Sequence, residues 1–117
     1  MRENLSTWND TIVALASPPG VGAIAVIRLS GPKSIEKVAS VFSKKNLAAK
    51  PSHTVHFGKI IDDLQVIDEV VVTLYKGPKS YTGEEVVEIS CHGSNYIIQQ
   101  IINLLIAKGA RAAKPGE

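Results

Sequence analysis

Ser80-Tyr-Thr-Gly-Glu-Glu-Val-Val-Glu-Ile-Ser-Cys-His-Gly93 is the stretch from which the rest of the chain can be read. Turn chemistry opens it, with Gly77 and Pro78 just upstream and Thr82 and Gly83 inside. β-Branched residues then predict a strand from Val86 to Cys91, and a helix can start at His92-Gly93-Ser94. Side chains alternate along a strand. Val87, Ile89 and Cys91 therefore share one face, and Val86, Glu88, Ser90 and His92 the other. A carboxylate in mid-strand between apolar residues is costly to bury unless something pairs with it. Glu88 is thus the first candidate functional residue.

Upstream, Asp68 to Lys76 contains the apolar run Val70-Val-Val-Thr-Leu-Tyr75, whose continuity predicts a well-buried strand. His53 to Ile61 alternates weakly, with Val55, Phe57 and Lys59 opposite His56 and Ile60, and Asp62-Asp63 supplies a hairpin turn. Lys44 to Ser52 reads as polar loop. Ile35, Val38, Ala39 and Phe42 recur at the spacing of an amphipathic helix. Ala23 to Ser30 predicts a strand with Ile24, Val26 and Arg28 on one face and Ala25, Ile27 and Leu29 on the other. Both faces are largely apolar, which predicts a central position and makes Arg28 a full charge on an otherwise buried element. Thr11 to Ala16 is a short strand, and the turn-rich loop Ser17-Pro-Pro-Gly-Val-Gly22 comes after it. Residues 1–10 carry no pattern and read as a flexible N-terminal arm. Gly-Pro-Lys-Ser occurs at 31–34 and again at 77–80. The residues after the two copies differ, Ile35-Glu-Lys against Tyr81-Thr-Gly, so it is reused turn chemistry and not a repeat.

Downstream, a second helix is predicted from Ser94, its cap, to Lys108, with Gly109 as its stop. Its apolar surface, from Ile97 to Ile106, is broader than a stripe. That predicts a helix either deeply buried or shared with a partner subunit. Ala110 to Ala113 forms a last short strand, and Lys114-Pro-Gly-Glu117 reads as a turn leading into further chain. The order of elements predicts an α+β fold, a mixed β-sheet with two main helices packed against it.

A length of 117 residues argues for one domain, 11–117 after the arm. Net charge is +2, too small to mark a nucleic-acid binder. One cysteine, Cys91, allows neither an intrachain disulfide nor a cysteine-built zinc site, and fits a reducing, cytoplasmic setting. The N-terminus lacks a basic-then-apolar signal. Tyr96 to Ala107 is too short and too polar to span a bilayer, so no membrane is expected.

Most chemistries are excluded by spacing. No G-x-x-x-x-G-K-[ST] is present, and Gly20-Val-Gly22 precedes a strand, so it reads as a plain turn. No Glu or Asp lies at metal-ligand spacing from two of His53, His56 and His92, so no metal site is expected. His92, at a strand-to-helix turn, is open to a functional role or a structural hydrogen bond. Alternation puts Cys91 and His92 on opposite faces, which predicts a buried, inert thiol. Arg28 and Glu88 remain. Either they form one buried ion pair, or each meets a ligand in a polar pocket. A carboxylate accepts two parallel hydrogen bonds from an amidine-like edge such as that of a pterin or guanine, and an arginine fork holds a carboxylate or carbonyl.

Two long motifs carry a resemblance. Asp10-Thr-Ile-Val-Ala-Leu-Ala-Ser-Pro-Pro-Gly-Val-Gly-Ala-Ile-Ala-Val-Ile-Arg-Leu-Ser-Gly31 resembles the N-terminal signature of the MnmE (TrmE) family of tRNA modification GTPases. The stretch from Ser80 to Gly93 resembles its second signature, and Gly109-Ala-Arg-Ala-Ala-Lys-Pro-Gly-Glu117 a third. The resemblance implies a domain like the folate-binding domain of the glycine-cleavage T protein. It also implies a homodimer that binds 5-formyl-tetrahydrofolate or a related one-carbon folate. The parent protein would hydrolyse GTP with potassium and magnesium in a G domain that this sequence lacks. With the FAD protein MnmG (GidA), it would place a carboxymethylaminomethyl-type group on carbon 5 of the tRNA wobble uridine. By the same resemblance Arg28 and Glu88 match the folate-contacting arginine and glutamate; no catalytic residue and no metal ligand is carried over. Two other readings stand beside this one. The first is a structural dimerisation module in which Arg28 and Glu88 simply pair. The second is an RNA-binding module using Lys33, Lys37, Lys44, Lys45 and Lys50.

Overall fold

The computed structural model describes residues 10–18, 22–77 and 84–116. Residues 1–9 of the expected arm 1–10, positions 19–21 of the first loop, positions 78–83 and Glu117 lie outside the described residues. Six strands form one sheet: β1 (Ile12–Leu15), β2 (Ile24–Ser30), β3 (Thr54–Asp62), β4 (Gln65–Tyr75), β5 (Val86–His92) and β6 (Arg111–Ala112). Two helices, α1 (Ser34–Val41) and α2 (Asn95–Ala107), complete the main elements. The sheet order is β3-β4-β5-β2-β1-β6. Only the β1–β6 pair is parallel, so the sheet is mixed and the fold is α+β, as expected.

One face of the sheet holds the core. Ala25, Ile27 and Leu29 of β2, Val87, Ile89 and Cys91 of β5, and Val70, Val72 and Leu74 of β4 are buried against both helices. Ile35, Val38 and Val41 of α1 and Ile98, Ile101 and Leu105 of α2 pack into the same cluster. The cap and stop of α2 fall at the expected residues. Ser94 Oγ accepts from Ile97 N–H at 3.3 Å, and Gly109 takes φ +109°, a left-handed conformation that closes a helix without a Cβ penalty. Much of the broad apolar surface of α2 is therefore spent on the chain's own sheet.

The other face is not covered by these elements, and this corrects two expectations. The apolar runs of β2 and β4 are not sandwiched. Val71, Thr73 and Tyr75 are only half-buried, and Ile24 is 67 % exposed. Apolar residues on both sides of a strand imply cover on both sides; here one set of them lines an open surface instead. The predicted polar loop 44–52 is corrected too: it includes a short 3₁₀ turn, Leu47–Ala49, whose Leu47 is fully buried.

A candidate ligand site on the open face of the sheet

Residues directly opposite on neighbouring strands share a face, so the register maps the open surface. One row crosses Val55, Thr73, Glu88, Arg28 and Ala14; the next crosses Phe57, Val71, Ser90 and Val26. Arg28 and Glu88, sixty positions apart in sequence, are direct cross-strand partners at the middle of the sheet. Arg28 Nε and Nη2 both donate to Glu88 Oε2, at 2.9 and 2.6 Å.

The two charges are brought together as an ion pair but are not buried. Their side chains are 52 % and 25 % exposed. The expectation of charges enclosed in the sheet fails because no helix among the described residues packs on their shared face. An exposed pair of this kind contributes only about 0–1 kcal/mol to stability. Both donors, on the side edge of the guanidinium, converge on one carboxylate oxygen, so the pair is not fork to fork. Glu88 Oε1 and Arg28 Nη1 have no hydrogen-bond partner among the described residues. The pair thus presents an acceptor beside a donor.

Next to it, one residue pair along β5, lies a cleft of about 230 Å³ whose lining includes Ile24, Phe57, Glu69, Val71, Ser90 and His92. His92 closes its end. The His92 ring is 69 % exposed, yet its Nδ1 lies 2.7 Å from Asp68 Oδ1, and its main-chain N–H donates to Asp68 Oδ2 at 2.9 Å. Asp68 is buried, with its side chain 8 % exposed. The sequence reading missed Asp68. The available signal was the Asp68-Glu69 pair just before the apolar run Val70–Tyr75, but the register that sets Asp68 against His92 was not visible.

Glu85 was missed as well, and it supports the site from behind. No side chain of its own segment caps α1. Glu85 Oε1 instead accepts from Ile35 N–H at 2.9 Å, Thr11 Oγ1 accepts from Lys33 N–H at 3.1 Å, and Gly31 N–H donates to Glu85 O. This remote cap locks the end of β2 to the start of β5, the two strands that carry Arg28 and Glu88. At the opposite end the Gly93 N–H donates to Ala23 O, and a Cβ on Gly93 would collide with the Gly22 carbonyl. Only glycine lets the two signature motifs approach this closely.

The remaining candidates are structural. Burial first, then the charge of Asp68, pushes the Cys91 thiol up to about 11, the state of an unreactive thiol. His53 stacks edge-on against Tyr75, and His56 Nε2 bonds Thr54 Oγ1. Among the described residues no three His, Cys, Asp or Glu side chains converge as a metal site requires.

The sequence profile described as "GTP-binding protein TrmE N-terminus" matches residues 11–117, which include both motifs that build this face. The chain belongs to the TrmE N-terminus family. Relatives called tRNA modification GTPase MnmE agree. The protein of Cytophaga hutchinsonii is 64 % identical across 97 % of this chain and 25 % of its own length. That of Flavobacterium johnsoniae is 55 % identical across 92 % of this chain and 24 % of its own length. That of Listeria welshimeri is 49 % identical, again across 92 % and 24 %. The chain spans about a quarter of the length of these MnmE relatives. Among the described residues no helix is long and apolar enough to cross a membrane.

Proposed function

We propose that the open face is a binding site for a one-carbon tetrahydrofolate, with 5-formyl-tetrahydrofolate as the leading form. The half-satisfied Arg28–Glu88 pair carries this reading. The ring edge of a pterin offers N–H donors beside a carbonyl acceptor. Among the described residues Glu88 Oε1 is left as an acceptor for the first, and Arg28 Nη1 as a donor for the second. Guanine shares this edge, so it is the natural competitor. In this reading the domain is of the same kind as the folate-binding domain of the glycine-cleavage T protein. Calorimetry with 5-formyl-tetrahydrofolate tests it directly: the parent chain binds and Glu88→Ala does not. Equal binding by the variant, or preference for guanosine, sinks the assignment.

The same face supports homodimerisation. Ile24, Val55 and Phe57 are all at least 60 % exposed on it, and a second copy would remove them from water. A purely structural dimer is the second reading; sedimentation showing a dimer without folate affinity favours it. In the folate reading, dimer and ligand share one surface. The whole protein would then be a GTP-hydrolysing, potassium- and magnesium-dependent tRNA modification enzyme of the cytoplasm. It would work with MnmG on the wobble uridine, and this part would supply the one-carbon unit's binding site. The relatives' name, tRNA modification GTPase MnmE, supports the GTPase and tRNA-modification part of that frame. RNA binding by this part is the least supported reading. Lys37 and Lys45 spend their ammonium groups on the carbonyls of Lys108 and Ser40. Salt-dependent binding of a tRNA would revive it.

A further inference from the structure

His92 is a second polar feature on the same face, and the Arg28–Glu88 recognition does not use it. The carboxylate of Asp68 is an acceptor only, so the ring nitrogen against it, Nδ1, carries the proton. In the neutral ring Nε2 is then a lone-pair acceptor, and it points away from Asp68. No hydrogen bond among the described residues uses it. Asp68 needs only one oxygen to cap the last main-chain N–H of β5, and Oδ2 does this. The second oxygen fixes a ring that is otherwise mostly in solvent. That is an oriented acceptor at the lip of a cleft, the arrangement by which a buried carboxylate aims an imidazole.

The cleft itself is small. At about 230 Å³ it falls below the usual range for a whole ligand and suits a single ring. Its lining includes the apolar residues Ile24, Phe57 and Val71, together with Ser90. Glu88, Ser90 and His92 succeed one another on the same face of β5. At about 3.3 Å per residue, Glu88 and His92 stand ~13 Å apart along the strand.

We propose that His92 is a positioning residue for the distal half of the ligand. An aromatic ring beyond the pterin lies in the cleft against Phe57, and an N–H donor attached to it is accepted by His92 Nε2. This rests on the small-molecule reading above and adds to it: the ligand's long axis runs along β5, from Glu88 to His92. Glu69 also lines the cleft and, as a carboxylate, does not compete as a donor, while its cross-strand partner Lys59 is the nearest cation given by the register on that face. A pterin alone cannot reach His92; a benzoyl-amide-bearing folate can.

Two probes and three variants of this chain decide the matter by calorimetry. The probes are 5-formyl-tetrahydrofolate and a tetrahydropterin lacking the benzoyl group. His92→Asn retains a donor to Asp68 but has no acceptor at the Nε2 position. His92→Gln reaches that position but gives up the Asp68 contact. The expected result is that His92→Asn binds the full folate about tenfold more weakly, the loss of one well-made hydrogen bond. It binds the tetrahydropterin as the parent does. His92→Gln recovers part of the folate affinity. Glu88→Ala loses both probes. If His92→Asn binds the full folate like the parent while Glu88→Ala does not, the role of His92 is wrong and the folate site survives. If His92→Asn weakens both probes equally, the residue acts only through the shape of the strand end, and the proposal is overturned. If the parent binds neither probe, the folate reading falls and takes this inference with it.

Discussion

The two faces of one sheet carry similar side chains and opposite duties. On the helix-covered face Ile27, Leu29, Val72, Leu74, Val87 and Ile89 are fully buried and define the fold. On the open face Ile24, Val55 and Phe57 are exposed, and a charged pair sits among them. Apolar content alone does not separate the two; the presence of a helix does. The covered face is where stability is concentrated. The open face should be nearly silent in folding and decisive in binding.

The largest effect should come from the covered face. Phe42, with no exposed surface, is a filled core position. Phe42→Ala should cost about 3–5 kcal/mol in urea unfolding. Phe57→Ala, on the open face, should stay within about 0.5 kcal/mol when unfolding is read at a protein concentration low enough to keep the chain monomeric. A comparable loss at both would erase the distinction between the faces.

Next is the remote cap that joins the two signature motifs. Glu85→Ala leaves the Ile35 N–H without its acceptor and should cost about 1–2 kcal/mol by thermal or urea unfolding, with Glu85→Gln milder. No loss would mean that the β2–α1 corner does not depend on β5.

The charged pair should move stability less than either. Arg28→Ala and Glu88→Ala should each change it by no more than about 1 kcal/mol, because the pair is open to solvent. A loss of several kcal/mol would show that the pair serves the fold and not a ligand.

The smallest effect concerns His56. Burial first, then Lys50 and Lys44, hold its pKa below 6.5. A depressed histidine contributes stability that is present above its unfolded value of 6.5 and is lost as pH falls through the folded one. Between about pH 7.5 and 5 the parent should therefore lose slightly more stability than His56→Gln. Equal slopes would contradict this.

The fold was largely legible because each element announces itself within a few residues. Alternation placed β2, β3 and β5, the i, i+3, i+4, i+7 stripe placed α1, and Ser94 and Gly109 bounded α2. What could not be read is which face α1 and α2 cover, because that depends on where both pack. For that reason Arg28 and Glu88 were expected inside the sheet and are found on its open side. The charges themselves were legible as mid-strand anomalies. Asp68 and Glu85 were not, because each acts on a partner far away in sequence, His92 and Ile35 respectively. Their roles exist only once the register does.

Amide chemical shifts of the labelled chain, titrated with 5-formyl-tetrahydrofolate, would compare the two faces in one experiment. The account predicts that changes concentrate at 24–28, 71–73 and 88–92, while the amides along the solvent sides of α1 and α2 stay still. Changes that instead track the helices, with the Arg28 and Glu88 strands unmoved, would contradict it.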